Sequence, residues 1–324
     1  MFQSFYNSPM EKVLSYNKST GVDLLKCTRS NYFTWNIIPS DEELSDYYHG
    51  PYIAANESWY TPENAYHDWP QYTRFISIMK RLTNTYIKKD NNSSIDDYSG
   101  ISIHDIGCSY GGTVGRLREA GFDATGTDLS EKSIATGKAY ANNNHIFCAS
   151  AKDYLTSVNC IPHIFYSHHV LEHIPNPVAF IQDLHSLMGD TSVAHFLFPN
   201  GNAYPMALGE YQKYTWFGYP YHLHFFGPYA ACRLLMDNGF SILEISSTPH
   251  FREFNINEIK ELFLPNAPDA IFDYDSFLSM LSRNFMASEL ELIFCRSDSA
   301  IARENKEKID RALELFAFFE EHRM

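Results

Sequence analysis

The sequence lacks the features that mark secreted, membrane-spanning and nucleic-acid-binding chains. No apolar stretch is long enough to cross a bilayer, and the opening segment, MFQSFYNSPMEKV, has neither the basic nor the apolar part of a secretory leader. Lysine and arginine total 25 against 39 aspartate and glutamate residues, without a long basic run, so a phosphate backbone is a poor partner. We predict a soluble, cytoplasmic protein that has no membrane span and no nucleic-acid partner.

Cysteine is also scarce, whereas aromatic residues are abundant. The six cysteines show no CxxC spacing and no density typical of a disulfide framework, which predicts reduced thiols. Aromatic residues make up 15% of the 324 positions, and such rings build cores and can line pockets. A chain of this length and ordinary hydrophobic content can bury a sizeable core.

Short apolar strands alternate with helices along the middle of the chain. The strand patterns run from ISIHDIG to ELELIFC, and Asn176 followed by Pro177 is typical of a helix cap and first turn. Alternation of this kind predicts an α/β fold with ligand sites at the carboxyl ends of the strands. We expect a Rossmann-like, doubly wound, mostly parallel sheet with an antiparallel last strand, and helical additions at both ends.

Composition divides the chain into regions. Residues 88–100, KKDNNSSIDDYSG, are typical of a surface linker, and the periodicity before them predicts an amphipathic helix over about 69–87. The C-terminal helix has an apolar stripe that fits docking on the main domain or on a second copy, so a homodimer is one expectation. The predicted regions are an N-terminal helical cap (1–95), a main domain (96–298) with an aromatic loop (200–226) and an acidic cap insertion (252–287), and a C-terminal helix (299–324).

A glycine-rich turn, DIGCSYGG, lies between a predicted strand and a predicted helix, from Asp105 to Gly112. Glycines there let the backbone approach a ligand, and the helix supplies free N–H groups. Asp128 ends the next strand, where a parallel neighbour presents a carboxylate to ribose hydroxyls. The sequence therefore predicts a nucleoside site.

The spacing of the glycines disfavours a nicotinamide oxidoreductase. They fall at 107, 111 and 112, which is not the G-x-G-x-x-G pattern of dinucleotide sites. Asp105, two residues before the first glycine, would repel a pyrophosphate and attract a cationic amino-acid end.

The turn resembles the first motif, D-x-G-C-G-x-G, of the class I S-adenosylmethionine-dependent methyltransferases. Ser109 stands where that motif usually has glycine, and serine replaces glycine readily where φ stays negative. The segment SHHVLEHIPNP (167–177) is similar to the "s-x-V-L-E-H-i-x-d-P" segment of methyltransferases in the branch of the ubiquinone-biosynthesis O-methyltransferases. A later stretch, HLHFFGPYAACRLLMDNGF, is similar to that branch as well, and the resemblance covers roughly residues 70–250.

The resemblance implies S-adenosylmethionine as the cofactor and assigns residues to its parts. Cys108, beside the cofactor, has no partner pattern of a nucleophile, so we interpret it as packing. The implied cofactor residues are Asp105, Gly107, Cys108, Ser109 and Gly111 at the methionine end, Asp128 and Leu129 at the ribose, Ser150 and Ala151 beside the adenine, and Ser167 and His168 closing the site.

A fainter similarity concerns the N-terminal region. Cys27, Pro39 and the segment Glu42 to Tyr48 resemble an N-terminal zinc module that precedes some of these enzymes, but only Cys27 remains of its four cysteines. We expect a degenerate module without metal.

Five histidines admit two interpretations. His168, His169, His173, His222 and His224 could imitate a metal cluster, since His169 and His173 have the i, i+4 spacing of zinc ligands on a helix. We favour a site without metal, in which His173 is buried and holds its loop. His222 or His224 could serve as the general base toward an acceptor hydroxyl, because imidazole titrates near operating pH, and the predicted catalytic candidates are His222, His224 and His173.

The aromatic loop carries the acceptor prediction. Residues 201–230 hold ten aromatic residues without helical or strand periodicity, which fits either an acceptor wall or a packed satellite cluster. The function we expect is methylation, preferably of a hydroxyl on a small molecule or a sugar or glycan. An N-methyltransferase acting on a small molecule and a catalytically silent S-adenosylmethionine-binding protein are the alternatives.

Overall fold

The computed structural model describes residues 8–55, 58, 61, 70–88, 97–140, 143–214, 216–249, 274–322 and 324. The strands in these residues are β1 (Met10–Asn17), β2 (Val22–Cys27), β3 (Tyr32–Trp35), β4 (Ser102–Ile106), β5 (Asp123–Asp128), β6 (Ile146–Cys148), β7 (Ile164–His168), β8 (Val193–Pro199), β9 (His224–Phe226), β10 (Phe240–Thr248) and β11 (Glu289–Arg296). The helices are α1 (Asp41–His49), α2 (Pro51–Ala55), α3 (Pro70–Leu82), α4 (Gly112–Glu119), α5 (Glu131–Tyr140), α6 (Ala151–Ser157), α7 (Pro177–Leu187), α8 (Tyr204–Ala207), α9 (Pro228–Met236), α10 (Tyr274–Arg283), α11 (Ala300–Glu304) and α12 (Lys306–His322). Short 3₁₀ or π turns span Thr83–Ile87, Leu171–His173 and Tyr211–Lys213.

The main sheet has seven strands in the order β10-β11-β8-β7-β4-β5-β6. Strands β4 to β8 pair in parallel, and β11 is antiparallel to both of its neighbours. The predicted Rossmann-like sheet with an antiparallel last strand is therefore confirmed. The chain order runs outward in one direction from β4 through β6 and in the other direction from β7 through β8. The order therefore reverses between the adjacent strands β4 and β7, and ligands bind in such sheets at the carboxyl ends of the strands beside this reversal.

Apolar side chains cover both faces of this sheet. On β7, Phe165 packs into one buried cluster while Ile164 and Tyr166 pack into the other, as the alternation of a strand requires. The predicted cap of α7 is confirmed, because the Asn176 side chain accepts from the Ala179 backbone N–H at 3.1 Å and Pro177 is the first residue. Helices therefore flank the sheet on both sides, as a doubly wound fold requires.

A second, antiparallel sheet joins the N-terminal region to the aromatic loop. Its order is β1-β2-β3-β9, and β9 pairs with β3 through Tyr32 opposite Phe226. The sequence analysis predicted the helices of this region but missed its strands, because VDLLKC and YFTW are short and their partner β9 is almost two hundred residues away. Cys27 is buried among apolar residues at the end of β2.

The C-terminal helices pack on the body of the chain. In the predicted apolar stripe of α12, Phe319 is fully buried and Ala312 is 8% exposed, whereas Leu313 is 43% exposed, so only part of the stripe packs on the body of the chain. Most of the predicted cap insertion, residues 252–273, lies outside the described residues, and its end forms α10. No helix in the described ranges is long and apolar enough to cross a membrane.

Candidate active site

The glycine turn after β4 is tied to the neighbouring strand. The backbone N–H groups of Gly107 and Cys108 both donate to the Thr127 carbonyl, at 2.8 and 3.0 Å. Gly107 and Gly111 have φ of +73° and +78°, the left-handed region that glycine adopts at low cost. The turn thus needs glycine at these two positions.

Ser109 corrects one expectation from the sequence. Its φ is +51°, so the serine does not restore a negative φ but takes the conformation that glycine has in the motif. The physical reason is the hydrogen bond from the Ser109 backbone N–H to Asp128 Oδ2 at 2.9 Å, which fixes the turn. A side chain in this region costs about 1–2 kcal/mol relative to glycine.

A cavity of about 300 Å³ opens beside this turn. A methyl group on Gly107 would overlap the Val170 side chain, and one on Gly112 would overlap the Tyr72 hydroxyl, so these glycines keep the walls close together. The volume falls at the lower end of the range for small-molecule sites. The cavity is lined by Tyr52, Tyr72, Phe75, Asp105, Gly107, Cys108, Ser109, Tyr110, Gly112, Thr113, Tyr166 and His168.

Two buried carboxyl groups flank the turn. Burial raises the pKa of Asp105 well above its usual value, and the neighbouring Asp128 raises it further. No described residue donates a hydrogen bond to the Asp105 carboxyl group. Asp128 accepts from the backbone N–H groups of Ser109 and Ser130, at 2.9 and 2.8 Å, although burial raises its pKa too. A carboxylate accepts about four hydrogen bonds, so Asp128 retains capacity for two hydroxyl donors.

The residues assigned to the ribose and adenine end lie on the same side of the turn. Leu129 is 71% exposed directly after Asp128. The Ala149 backbone N–H donates to the Asp128 carbonyl at 3.2 Å, which places Ser150 and Ala151 beside it. The Ser150 hydroxyl accepts from the Asp153 backbone N–H at 3.0 Å and caps α6, so its side chain has a structural task.

The residues at the end of β7 complete the cavity. Ser167 is buried, and the His168 ring lies edge-on to Phe75 with centroids 4.9 Å apart. Burial and then the charge of His169 lower the pKa of His168 to about 4, so His168 is neutral near pH 7. Cys108 is also buried, and burial raises its pKa well above the usual value, which keeps it a thiol.

His169 forms a buried bridge that sequence reasoning missed. Its Nδ1 lies 3.0 Å from Glu172 Oε1 and its Nε2 lies 2.7 Å from Glu289 Oε1. Burial lowers the pKa of His169, but the hydrogen bonds to both carboxylates outweigh burial and raise it to about 10. An imidazolium between two carboxylates therefore joins β7, the 3₁₀ turn after it and β11. The position of Glu289 at the start of the last strand gave no sign of this in the sequence.

In the part of the chain that the structure describes, side chains that could hold a metal ion come together in two groups, His168 with His169 and Glu289, and Glu172 with His173 and His222. His224 belongs to neither group. Both ring nitrogens of His169 already face carboxylates, so the ion pair accounts for the first group.

His173 lies under a group of tyrosines. The Tyr48 hydroxyl and the Tyr221 carbonyl each lie 2.9 Å from His173 Nδ1, and Glu172 Oε1 is 3.9 Å from its Nε2. Burial lowers the pKa of His173, which leaves the imidazole neutral. Tyr52 contacts Tyr48 with ring centroids 5.2 Å apart and lines the cavity, so this group continues into the site.

None of the three predicted base candidates, His173, His222 and His224, lines the cavity itself. His224 is in β9, where its Nδ1 is 2.8 Å from the Tyr32 hydroxyl, and burial lowers its pKa to about 4. Burial lowers the pKa of His222 to about 3, and its Nδ1 lies 2.5 Å from the Trp216 carbonyl. Both rings are held by structural contacts, and a role of either as the general base stays a prediction.

Most of the aromatic loop packs as a cluster rather than as a wall. Its side chains surround Trp35 and Phe33 of the N-terminal sheet. Tyr221 packs elsewhere, since its ring stacks on Tyr47 with ring planes 10° apart. The Trp216 ring stacks on His169. The members of the packed cluster include Tyr211, Tyr214, Phe217, Tyr219 and Phe225.

Comparison with known proteins agrees with this geometry. Residues 75–245, just over half of the chain, match the family model described as "Methyltransferase domain". The chain belongs to this family and is a class I S-adenosylmethionine-dependent methyltransferase.

Individual relatives are more distant. The ubiquinone biosynthesis O-methyltransferase of Rickettsia canadensis (strain McKiel) is 30% identical over 131 residues, which cover 40% of this chain and 51% of that protein. The chain thus spans about half the length of this curated relative. Similar solved structures include the plantazolicin methyltransferase BpumL with SAH, at 18% identity and a TM-score of 0.46, covering 78% of this chain and 93% of that chain. Another is magnesium protoporphyrin IX methyltransferase from Synechocystis PCC 6803, at 16% identity and a TM-score of 0.47, covering 78% and 98%.

Proposed function

We propose that the protein methylates a hydroxyl group of a small, ring-bearing acceptor, such as a sugar or an aromatic metabolite. The observation that carries this proposal is the contact between His173 and Tyr48. Tyr48 belongs to a tyrosine wall, formed by Tyr47, Tyr48, Tyr52 and Tyr221, which reaches the cofactor cavity through Tyr52. A neutral imidazole beside a ring-lined space suits a hydroxyl acceptor, which must lose a proton during transfer.

The described residues fit the cofactor. The cavity beside the glycine turn gives a ligand access to Gly107 and Ser109, and the buried Asp105 carboxyl group suits a cationic amino-acid end. Asp128 has spare acceptor capacity for ribose hydroxyls, and Leu129 offers an exposed apolar surface beside it. In this proposal Gly107, Cys108, Ser109 and Gly111 surround the methionine end, Ser150 and Ala151 lie beside the adenine, and Ser167 and His168 close the site.

Bound S-adenosylmethionine supplies a methyl group on a positively charged sulfur, which makes transfer intrinsically favourable. The protein's residues therefore mainly align the acceptor and remove its proton. As the acceptor oxygen takes the methyl group and the carbon–sulfur bond of the donor breaks, His173 Nε2 would accept the hydroxyl proton and later return it to solvent, because Nδ1 already faces the Tyr221 carbonyl. Burial raises the pKa of Glu172, but the hydrogen bond to His169 outweighs burial and lowers it to about 2, so a carboxylate faces the cation that forms on His173.

Calorimetric titration with S-adenosylmethionine and S-adenosylhomocysteine tests the cofactor, and mass spectrometry of hydroxyl-acceptor libraries tests the reaction. We expect binding of both compounds and a mass gain of one methyl group on an acceptor with a free hydroxyl. His173→Gln should lower kcat at least tenfold and leave S-adenosylhomocysteine affinity unchanged, since general bases typically contribute 10²–10⁴-fold.

The matched control is His224→Gln, which changes a histidine that contacts Tyr32 rather than Tyr48. Equal losses of kcat in both variants would contradict the assignment of His173 as the base. Methyl transfer to amines and not to hydroxyls would contradict O-methylation.

A further inference from the structure

A row of polar side chains crosses the middle of the main sheet below the cavity. Asp105 on β4 pairs in register with Tyr166 on β7, and Tyr166 pairs in register with His195 on β8. Residues opposite each other in a sheet project from the same face, so the three side chains lie side by side. All three are buried, Asp105 at 4%, Tyr166 at 1% and His195 at 0% exposure.

The Tyr166 hydroxyl is a buried polar group without a hydrogen-bond partner among the described residues. Such a group costs about 1–3 kcal/mol of stability, and native proteins rarely leave one unexplained. Tyr166 also lines the cavity together with Asp105. Asp105 and Tyr166 on adjacent strands therefore line one cavity, and neither receives a hydrogen bond from the described residues.

His195 and Glu291, on the side of the row away from Asp105, hold Tyr166 in place. The Tyr166 ring stacks on His195 with centroids 5.6 Å apart and ring planes 3° apart. His195 Nε2 lies 2.6 Å from Glu291 Oε1, and the other Glu291 oxygen is 3.2 Å from the Arg74 guanidinium. The tyrosine therefore keeps one orientation without using its hydroxyl.

Ligand groups differ in how well they suit this arrangement. An anion would face the Asp105 carboxyl group, and an apolar group would leave both oxygens unpaired at the cost of burial. An ammonium group carries three N–H donors and a positive charge, so it can donate to the carboxylate and to the tyrosine oxygen together.

We propose that the Tyr166 hydroxyl and Asp105 jointly bind the ammonium group at the amino-acid end of the cofactor, with His195 and Glu291 as positioning residues. The inference rests on the cofactor placement proposed above. Tyr166 then selects for the intact amino acid, because a site built around hydrogen bonds rejects a ligand that lacks the matching donor.

The experiment compares two ligands on one variant. Calorimetry measures the Kd of S-adenosylhomocysteine and of its analogue in which hydrogen replaces the amino group. For Tyr166→Phe, which keeps the ring and its stacking, we expect the Kd of S-adenosylhomocysteine to rise roughly tenfold or more, as for loss of a hydrogen bond to a charged group. The Kd of the desamino analogue should stay within about twofold of the wild-type value.

Thermal unfolding adds a second readout. Because the hydroxyl has no partner among the described residues, Tyr166→Phe should melt at the same temperature as wild type or above it, and should gain less from added S-adenosylhomocysteine. Tyr214→Phe is the matched control, since it removes a buried hydroxyl that donates to the Asn200 carbonyl at 3.1 Å, away from the cavity. It should melt lower and bind both ligands normally.

Unchanged S-adenosylhomocysteine affinity in Tyr166→Phe, or an equal loss for both ligands, would overturn the inference. Absence of S-adenosylhomocysteine binding by the wild-type protein would instead overturn the proposed function, so the two failures are distinguishable.

Discussion

The backbone N–H of Ser109 donates to the Asp128 carboxylate at 2.9 Å, and this bond makes the glycine turn and the end of β5 one unit. The turn adopts left-handed geometry at Ser109, and the same bond holds Asp128, the proposed ribose contact, in place. A change at either residue therefore affects both the turn and the carboxylate.

Ser109→Gly should stabilise the free protein. Relief of the left-handed strain, about 1–2 kcal/mol, exceeds the entropic cost of a glycine, about 0.5–1 kcal/mol. We expect a net gain of roughly 0.5–1 kcal/mol in the free energy of unfolding, measured by urea denaturation. Ser130→Gly is the opposite-sign control, because it removes the hydroxyl that accepts from the Ser133 backbone N–H. A loss of stability in Ser109→Gly would contradict the strain.

Asp128→Asn should weaken S-adenosylhomocysteine binding at least tenfold, since the amide loses charge and part of its capacity to accept ribose hydroxyls. Calorimetry measures the affinity. Asp123→Asn, at the other end of β5 and in an exposed ion pair with Arg118, should leave the affinity unchanged. If Asp128→Asn binds as tightly as wild type, the ribose is not at Asp128.

Cofactor affinity should depend on pH through Asp105. Burial raises the pKa of this carboxyl group, and a cation binds only its ionised form, so affinity is full above the raised pKa and falls as pH decreases through it. The fall is at most tenfold per pH unit. Asp128, Cys108 and the Tyr166 and Tyr72 hydroxyls are the other titratable groups beside Asp105.

Titrations of S-adenosylhomocysteine across the acidic range, in buffers of different ionisation enthalpy, measure this linkage. Proton release on binding should accompany the loss of affinity. Asp105→Asn should bind weakly with a flatter pH profile; an unchanged slope would assign the dependence to another group.

The His169 bridge should be a large contributor to stability. Removing the cation in His169→Asn leaves Glu172 and Glu289 as adjacent buried carboxylates, for which a loss of about 3–5 kcal/mol is typical. Glu172→Gln in the same chain should recover part of the loss. His322→Asn, an exposed change, serves as the control in urea denaturation. A loss equal to that of the control would mean that the bridge is not stabilising.

The direction in which stability changes with pH follows from the pKa shifts of His169 and Glu172. The pKa of His169 is raised from 6.5 to about 10, so its stabilisation is complete below pH 6.5 and is lost as pH rises through about 10. The pKa of Glu172 is lowered from 4.5 to about 2, so its share is present above pH 4.5 and is lost as pH falls through about 2. Stability of His169→Asn should accordingly change less than that of wild type between pH 7 and 10.

Methyl transfer should not require a metal ion. In the first candidate group, His169 uses both ring nitrogens on carboxylates, and in the second the Nδ1 atoms of His173 and His222 contact backbone carbonyls. Dialysis against a chelator should leave kcat and the melting temperature unchanged. Restoration of lost activity by an added divalent ion would show that one of the groups is a metal site.

Much of the main sheet was predictable because local patterns determine it. The strand before Asp105, the cap at Asn176 and the acidic end of β5 are each marked within a few residues. The sheet that joins β3 to β9 was not predictable, since its pairing brings together residues far apart in sequence. The partner of His169 on β11 was missed for the same reason, and Tyr166 looked like any aromatic residue of a strand.

The pairing of β3 with β9 has a consequence for how acceptor preference changes over evolution. The tyrosine wall is built by α1 and α2 together with Tyr221, three residues before β9, and β9 is fastened to the N-terminal strands. We therefore expect substitutions in β1 to β3 to shift the whole tyrosine wall, even where the substituted residue does not contact the proposed acceptor. We expect acceptor preference to change through such substitutions while the glycine turn, and with it the proposed cofactor site, stays constant.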